Sequence, residues 1–209
     1  MLNEDFTFSK KSDHYLISFQ RLVKMTGNAP FNGGQFVGRN FINRTVPKNY
    51  MDDPIIETTG FLMMNKYTPK DTAVTLTAVD IRDVKTKSKI IEGFAFHTFL
   101  TAGVDNAISV GGFSKGQGTI NICVLTDLPM TDSATINAIQ TIVESKSAAL
   151  FDTDIRDRNT GKLAPGTSTD TVTIIRTSEY EDVPYCGRAT PWGALLSELI
   201  YSSLAEVLQ

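Results

Sequence analysis

The chain has 209 residues, of which 41% are hydrophobic and 21% charged, and its formal net charge is −3. This length suffices for one substantial domain, which we predict over residues 1–209. The charge pattern, with no basic cluster, argues against nucleic acid as a partner, and two distant cysteines exclude a disulfide scaffold. With an acidic start unlike a signal peptide and no apolar run of membrane-spanning length, we expect a cytoplasmic protein without a membrane partner.

The first half of the chain is predicted to consist of β-strands separated by turns. Alternating or β-branched segments indicate strands at residues 15–19, 37–46, 61–64, 73–81 and 93–100. The lysine-rich segment 85–89 is interpreted as a solvated turn or the start of an exposed connection.

The second half adds two strands and two helices. Residues 119–125 predict a buried strand, and residues 171–175 predict another. One helix is predicted from Thr131 or Ser133 to about Leu150, and a second from the Thr190-Pro191 pair. The predicted apolar face of the first helix consists of Ile136, Ile139, Ile142, Val143 and Leu150. This order of elements predicts an α+β fold with a mixed or largely antiparallel sheet and helices packed on it.

Polar residues share one face of the predicted strand 119–125 and its continuation. Alternation of side chains places Thr119, Asn121 and Asp127 on this face, whereas Ile120 points toward a core. We therefore expect Asn121 and Asp127 to reach a common cleft. The alternative is that Asp127 merely begins the turn before Pro129, since aspartate is a common turn residue.

Lys146 falls within the apolar stripe of the first predicted helix. A lysine that points inward must pair with a carboxylate, extend to solvent or serve a site. Asp127 and Asp170 are the candidate partners. The structural alternative is an extended lysine near the helix end, where its charge suits the helix dipole.

Small, hydroxyl, amide and carboxylate side chains concentrate in segments 101–107, 118–122 and 125–127. Neighbouring glycines allow a backbone to approach a ligand closely, so these segments indicate a binding or catalytic site where two strands end. The 166–170 loop either binds polar groups, supplies a nucleophilic hydroxyl or forms a self-bonded turn. His97, on the preceding strand, is a second candidate base but is interpreted as a structural histidine.

The order and spacing of these segments resemble the adenosylcobinamide amidohydrolase family of corrinoid salvage. The segments that carry the resemblance are Thr101-Ala102-Gly103-Val104-Asp105-Asn106-Ala107, Gly118-Thr119-Ile120-Asn121-Ile122, Leu125-Thr126-Asp127, Glu144-Ser145-Lys146-Ser147-Ala148-Ala149-Leu150 and Gly166-Thr167-Ser168-Thr169-Asp170, with Asn32-Gly33-Gly34, Ile42-Asn43, Val46-Pro47, Pro54 and Leu76-Thr77-Ala78 upstream. One segment departs from the family pattern. Family members place a histidine in a Gly-Thr-His-Thr-like segment before the last helix, where this chain has Gly187-Arg188-Ala189-Thr190.

The resemblance implies hydrolysis of the amide that links aminopropanol to the corrin ring of adenosylcobinamide, giving adenosylcobyric acid for cobalamin salvage. Amide hydrolysis needs a base or nucleophile, a donor for the oxyanion and an acid for the departing amine. Asp127 or Asp170 is the candidate base toward water, and Lys146 is a candidate oxyanion donor. Thr101 or Thr167 is the candidate nucleophile in the alternative that uses a side-chain hydroxyl. The candidate substrate-binding residues are Gly103, Asp105, Asn106, Thr119, Asn121, Thr167 and Ser168; Asn106 and Asn121 are also candidate oxyanion donors.

Two alternatives to this reaction stay open. The protein could be a non-catalytic corrinoid carrier or sensor, or it could be an amidohydrolase of another amide. The resemblance implies no required cofactor, and the cobalt-containing corrinoid is expected as the substrate. No metal-ligating residues are identified in the sequence. A small corrinoid is the expected partner, and a homo-oligomer is an open alternative to a monomer.

Overall fold

The computed structural model describes residues 6–50, 52–113 and 118–208. Within this part of the chain there are ten β-strands and three α-helices. In chain order they are β1 (Phe6–Lys10), β2 (His14–Gly27), β3 (Gly34–Thr45), α1 (Pro54–Met64), β4 (Thr72–Thr77), β5 (Lys85–Ile91), β6 (Phe94–Ala102), β7 (Ala107–Ile108), β8 (Ile120–Thr126), α2 (Asp132–Asp152), β9 (Gly166–Thr167), β10 (Thr171–Arg176) and α3 (Pro191–Leu208).

Eight of these strands form one mixed sheet. Its order is β4-β3-β2-β10-β8-β6-β5, and β1 pairs with β2 as a branch. The β3–β4 and β8–β10 pairs are parallel, and the other pairs are antiparallel. Strands β7 and β9 form a separate two-stranded ribbon. The predicted α+β class with a mixed sheet is therefore confirmed.

Helices α2 and α3 cover one face of the sheet. Helix α2 connects β8 to its parallel neighbour β10, as parallel pairing requires a crossover. Both predicted helix starts are confirmed, because Thr131 Oγ1 accepts from the Ala134 N–H at 3.1 Å and Thr190 Oγ1 accepts from the Gly193 N–H at 3.1 Å. The core between sheet and helices includes Leu100, Ile120, Ile122, Ile174, Ile142, Leu196 and Ile200.

The other face of the sheet is strongly concave. Asn121 on β8 donates a hydrogen bond to Asn43 on β3 at 2.9 Å, although β2 and β10 lie between these strands in the sheet. Since adjacent strands lie about 4.8 Å apart, a flat sheet would separate them by about 14 Å. The register of β2 against β3 shifts between Ser18 and Val23, and such irregularities increase strand twist. The concave side encloses a second core that includes Tyr15, Phe19, Met25, Phe41, Phe99 and Leu125.

Two predicted elements of the first half were wrong. Residues 61–64 are not a strand but the end of α1, which Asp53 caps by accepting from the N–H groups of Ile55 and Ile56. Periodicity cannot separate so short an apolar run from a buried helical turn. Residues 85–89 are not a turn but part of the edge strand β5, whose lysines suit an exposed sheet edge. The predicted strand 73–81 also ends earlier, with β4 at Thr77.

The buried face of α2 differs in part from the predicted one. Ile142 and Leu150 are fully buried, but Ile136 is 64% exposed and Val143 is 40% exposed. Small residues occupy the contact stripe instead, including Ala134, Ala138 and Ala149, which are all fully buried. Alanines let a helix approach its neighbours closely. The alanine stripe therefore packs against the sheet and α3, and Ile136 points toward solvent.

This orientation of α2 predicts that truncating two of its isoleucines lowers the free energy of unfolding by different amounts. Ile142→Ala removes fully buried side-chain volume, so it should lower the free energy of unfolding by about 2–5 kcal/mol. Ile136→Ala, at an exposed position, should change it by less than about 0.5 kcal/mol. Urea unfolding of the two variants measures both values, and equal losses would contradict the orientation of α2.

Candidate active site

A cleft of about 420 Å³ opens where the N-terminal ends of β8 and β10 meet the C-terminal end of β4. This volume is within the range of small-molecule sites, about 300–1,000 Å³. Most of its polar lining groups are hydroxyls and amides. The lining residues are Asn28, Pro30, Val46, Pro47, Tyr50, Leu76, Thr77, Ala78, Asn106, Gly118, Thr119, Ser168, Thr169, Asp170 and Thr171.

A buried network of amides and hydroxyls lies beneath the cleft. Nδ2 of Asn43 donates to Thr101 Oγ1 at 3.0 Å, and Oδ1 of Asn43 accepts from Asn121 at 2.9 Å and from Thr75 at 3.1 Å. Oδ1 of Asn121 accepts from Thr171 at 2.8 Å. Because buried polar groups are stable only when they are hydrogen-bonded, this network fixes the strands that carry the cleft.

Asp170 is the one carboxylate that lines the cleft among the described residues, and it accepts four hydrogen bonds. Its Oδ1 accepts from the Ile120 N–H at 3.0 Å and from Thr167 Oγ1 at 2.5 Å. Its Oδ2 accepts from the Thr167 N–H at 3.1 Å and from the ammonium group of Lys146. A carboxylate offers about four lone-pair sites, so protein donors occupy all of them.

The ion pair explains the inward position of Lys146. The Lys146 side chain is 8% exposed and that of Asp170 is 13% exposed, so α2 and the cleft are linked by a largely buried salt bridge. Of the two candidate partners from the sequence, the structure brings Asp170 to the lysine. Gly166 lies against the pair, and a Cβ there would be 2.4 Å from both Lys146 Nζ and Asp170 Oδ2.

Asn106 and Ser168 form one wall of the cleft. The β7–β9 ribbon pairs Ala107 with Thr167 and so brings the two neighbouring residues together. Nδ2 of Asn106 donates to Ser168 Oγ at 3.2 Å, but Oδ1 of Asn106 is buried and has no hydrogen-bond partner. An unpaired buried acceptor costs about 1–3 kcal/mol, which makes this oxygen a natural acceptor for a ligand donor.

The loop after Asn106 is held by Asp157. Its Oδ2 accepts from the Ser109 N–H at 3.1 Å and from Ser109 Oγ at 2.8 Å, and its Oδ1 accepts from the Asn159 N–H at 2.8 Å. The backbone hydrogen bonds from Ser109 and Asn159 lower the pKa of Asp157 from 3.8 to about 2. The ionised carboxylate therefore joins two loops beside the cleft.

Other predicted site residues lie below or beside the cleft. Thr101 and Asn121 belong to the buried network, and Thr167 binds Asp170. Gly103 donates its N–H to the Thr119 carbonyl at 3.0 Å. Asp105 lies at the surface, where it pairs with Arg158 at 3.2 Å and with Lys48 at 3.7 Å. Of the predicted residues, the structure thus brings four to the cleft lining: Asn106, Thr119, Ser168 and Asp170.

Asp127 lies at the opposite end of β8 from the cleft. At about 3.3 Å per residue, it is roughly 20 Å along the strand from Ile120. Its Oδ1 accepts from the Ala95 N–H at 2.7 Å, and it lines a small pocket together with His97. Burial lowers the pKa of His97, and its Nδ1 is hydrogen-bonded to Ser88 Oγ at 2.7 Å. These two groups are therefore separated from the cleft.

Several cleft residues were missed by sequence reasoning. Asn28 accepts from the Val172 N–H at 2.7 Å and donates to the Asp170 carbonyl at 2.9 Å. It occupies a turn-rich segment, where asparagine is an ordinary turn residue and gives no signal of a site. Tyr50 lies in an irregular loop, and the sequence around it likewise gives no sign of a binding site. Asn43, in the network beneath the cleft, belongs to the Ile42-Asn43 pair that carries part of the family resemblance.

The segment that departs from the family pattern lies at the start of α3. Arg188 pairs with Glu144 at 2.8 Å, and Thr190 caps the helix. Ala189 is exposed. No residue from 187 to 190 is among those that line the cleft, so this departure leaves the described lining groups in place.

Within residues 6–50, 52–113 and 118–208, no group of three or more His, Cys, Asp or Glu side chains is arranged to hold a metal ion. In the same part of the chain, no helix is both long enough and apolar enough to cross a membrane.

Comparison with known proteins identifies similarity to one family. The family model described as adenosylcobinamide amidohydrolase matches residues 2–209. An adenosylcobinamide amidohydrolase of Methanosarcina mazei is 27% identical over 143 residues, which are 64% of each chain. One of Halobacterium salinarum is 28% identical over 176 residues, 78% of this chain and 71% of its own. The resemblance found in the sequence is confirmed.

Two further similarities are more limited. An uncharacterized protein of Methanocaldococcus jannaschii is 34% identical over 92 residues, 44% of this chain and 36% of its own. This chain thus spans about a third of that relative and just under two-thirds of the Methanosarcina protein. Among solved structures, the PH0078 protein of Pyrococcus horikoshii OT3 aligns with 97% of this chain and 77% of its own at 10% identity, with a TM-score of 0.42, which is too low to support an inference.

The close contact at Gly166 predicts that a single methyl group disturbs the ion pair. Gly166→Ala should lower the free energy of unfolding by about 1–3 kcal/mol, as overpacking does, because the Cβ overlaps Lys146 Nζ and Asp170 Oδ2. Gly60→Ala is the matched control, since a Cβ at this exposed position of α1 meets nothing within 4 Å. Alanine should stabilise the helix there by up to about 1 kcal/mol. Urea unfolding measures both, and an unchanged Gly166→Ala variant would contradict the tight contact.

The lowered pKa of Asp157 predicts a specific pH dependence of stability. Below the ordinary pKa of 3.8 the unfolded chain takes up a proton before the folded chain does, so this contribution to stability is lost as pH falls from 3.8 to about 2. Asp157→Asn should be less stable than wild type above this window and should decline less steeply within it. Urea unfolding across the acid range tests this, and identical slopes for both proteins would refute the assignment.

Proposed function

Because this chain belongs to the adenosylcobinamide amidohydrolase family, we propose that it hydrolyses the amide between aminopropanol and the corrin ring of adenosylcobinamide. A water oxygen adds to the carbonyl carbon and the C–N bond breaks. The products are adenosylcobyric acid, as its carboxylate, and protonated aminopropanol. The observation that carries the proposal is the cleft, in which the Asp170 carboxylate is oriented by Lys146 among hydroxyl and amide groups.

The cleft suits one edge of a corrinoid. A whole corrinoid is larger than the drug-sized ligands that such a volume encloses, so the reacting side chain would enter while most of the ring stays outside. The rim of a corrin carries amides, whose N–H groups can donate to the unpaired Oδ1 of Asn106. The hydroxyls of Thr119 and Ser168 can donate or accept, and Leu76 offers apolar contact.

Asp170 is the proposed base toward water. A water can reach its Oδ1 if the Thr167 hydroxyl, 2.5 Å away, rotates aside, or the same hydroxyl can relay the proton. The buried ammonium of Lys146 orients Asp170 and supplies positive charge near the developing oxyanion. Water is the proposed nucleophile in preference to Thr101, since the Thr101 hydroxyl is buried and bonded to Asn43 below the cleft.

A corrinoid carrier or sensor is the second candidate function. The observation that favours it is the saturation of Asp170, because a carboxylate whose four lone-pair sites are filled by protein donors is a stable structural anchor. A carrier would keep the polar cleft and its amide contacts without needing a free base.

Replacing Asp170, with Asp127 as a control, distinguishes the hydrolase from the corrinoid carrier or sensor. Asp170→Asn should reduce release of aminopropanol from adenosylcobinamide by at least about a hundredfold, since the amide cannot accept a proton, while corrinoid binding persists. Asp127→Asn is the matched control and should retain turnover, because Asp127 lies at the far end of β8. Mass spectrometry of the two products gives the rates, and a corrinoid absorbance titration gives binding.

Each result assigns a function. Aminopropanol release by wild type that survives Asp170→Asn would refute the proposed base. Corrinoid binding by wild type without release would favour the carrier or sensor. Neither binding nor release would point to an amidohydrolase of another amide.

A further inference from the structure

A second cavity of about 400 Å³ adjoins the cleft. Val46, Pro47 and Tyr50 line both spaces and so form the wall between them. The remaining lining residues of the second cavity are Arg44, Asn49, Asp52 and Glu57. We call this space the Arg44–Glu57 compartment.

Three residues of the compartment carry buried polar atoms without hydrogen-bond partners. These atoms are Arg44 Nε, the Tyr50 hydroxyl and Glu57 Oε2. Arg44 pairs with Glu57 from Nη1 to Oε1 at 2.5 Å, and this pairing leaves the buried Nε donor of Arg44 and the buried Oε2 acceptor of Glu57 without partners. Because native proteins pair nearly all buried polar atoms, these three atoms are donors and acceptors that a small polar ligand could pair with.

The ion pair is held rigidly in place. The Arg44 guanidinium lies over the Phe61 ring at 4.1 Å from its centroid, and Glu57 belongs to the first turn of α1. The side chains of Arg44 and Glu57 are 16% and 24% exposed. A donor and an acceptor fixed in this way can recognise a small molecule that carries complementary groups.

The charge of the compartment favours a cation. Two carboxylates, Asp52 and Glu57, stand against one guanidinium, Arg44. Burial raises the pKa of Tyr50, and the nearby charges of Glu57 and Asp52 raise it further. The phenol therefore keeps its proton and can both donate and accept hydrogen bonds.

We propose that the Arg44–Glu57 compartment is a binding site for a small protonated amino alcohol, and that it receives the amine released from the cleft. The inference rests on the proposed function, whose leaving group is such a molecule. The ammonium group would donate to Glu57 Oε2, and the hydroxyl oxygen would accept from Arg44 Nε. The hydroxyl hydrogen would donate to Tyr50, which stands between the two spaces.

Calorimetric titration of the whole chain with 1-amino-2-propanol, without a corrinoid, tests the site directly. Wild type should bind with a millimolar dissociation constant, as expected for so small a ligand. Glu57→Gln should weaken binding at least about tenfold, since it removes a charge-assisted hydrogen bond. Propylamine, which lacks the hydroxyl, and 2-propanol, which lacks the ammonium group, should both bind more weakly than the amino alcohol.

Two further variants separate binding from folding. Tyr50→Phe removes a hydroxyl that has no partner, so it should weaken amino-alcohol binding while the melting temperature stays the same or rises. Glu206→Gln is the matched control carboxylate, on α3 and paired with Lys87 at 2.5 Å. It should leave amino-alcohol binding unchanged.

The outcomes distinguish this inference from the proposed function. Absence of binding to wild type, or binding that neither Glu57→Gln nor Tyr50→Phe weakens, overturns the site even if adenosylcobinamide is hydrolysed. Binding that both variants weaken supports the site. If such binding occurs without hydrolysis of adenosylcobinamide, the amino-alcohol site stands, but its role as a leaving-group site is overturned together with the proposed function.

Discussion

The hydrogen bond between Asn43 and Asn121 holds the central sheet in its curved form. It joins β3 to β8 across two intervening strands, so it can form only when the sheet curves. The same amides bind Thr101 and Thr171, which ties the bond to β6 and β10. Curvature brings strand ends together that a flat sheet would keep apart, and the cleft is the space they leave.

The parallel pairing of β8 and β10 brings Asp170 to the start of β8. Parallel neighbours have their N-terminal ends at the same edge of the sheet, so the loop before β10 lies beside the start of β8. Asp170 uses this proximity to accept from the Ile120 N–H, and Lys146 reaches the same carboxylate from α2. One side chain thus joins both strands and the crossover helix, and it also faces the cleft. A group with this dual position is hard to change without affecting both stability and chemistry.

Of the ten buried side-chain polar atoms without a hydrogen-bond partner among the described residues, four lie around the cleft and the adjoining compartment. Asn106 Oδ1 belongs to the cleft lining, and Arg44 Nε and Glu57 Oε2 belong to the adjoining compartment. Such atoms destabilise the folded chain, and functional sites commonly retain them because a ligand supplies the missing partner. Their proximity to Tyr50, which lines both spaces, favours two connected subsites over one isolated pocket.

Features that depend on near neighbours along the chain were predictable from the amino-acid order. Helix caps at Thr131 and Thr190, the α+β class and the inward position of Lys146 follow from local chemistry and periodicity, and the order of polar segments identified the family. Which carboxylate pairs with Lys146 depends instead on the three-dimensional arrangement of the strands. Both aspartates flank strands, but the parallel pairing of β8 with β10 and the crossover by α2 put Asp127, which follows β8, far from Asp170, which precedes β10. Those properties arise from contacts between residues far apart in the chain, which local patterns do not encode.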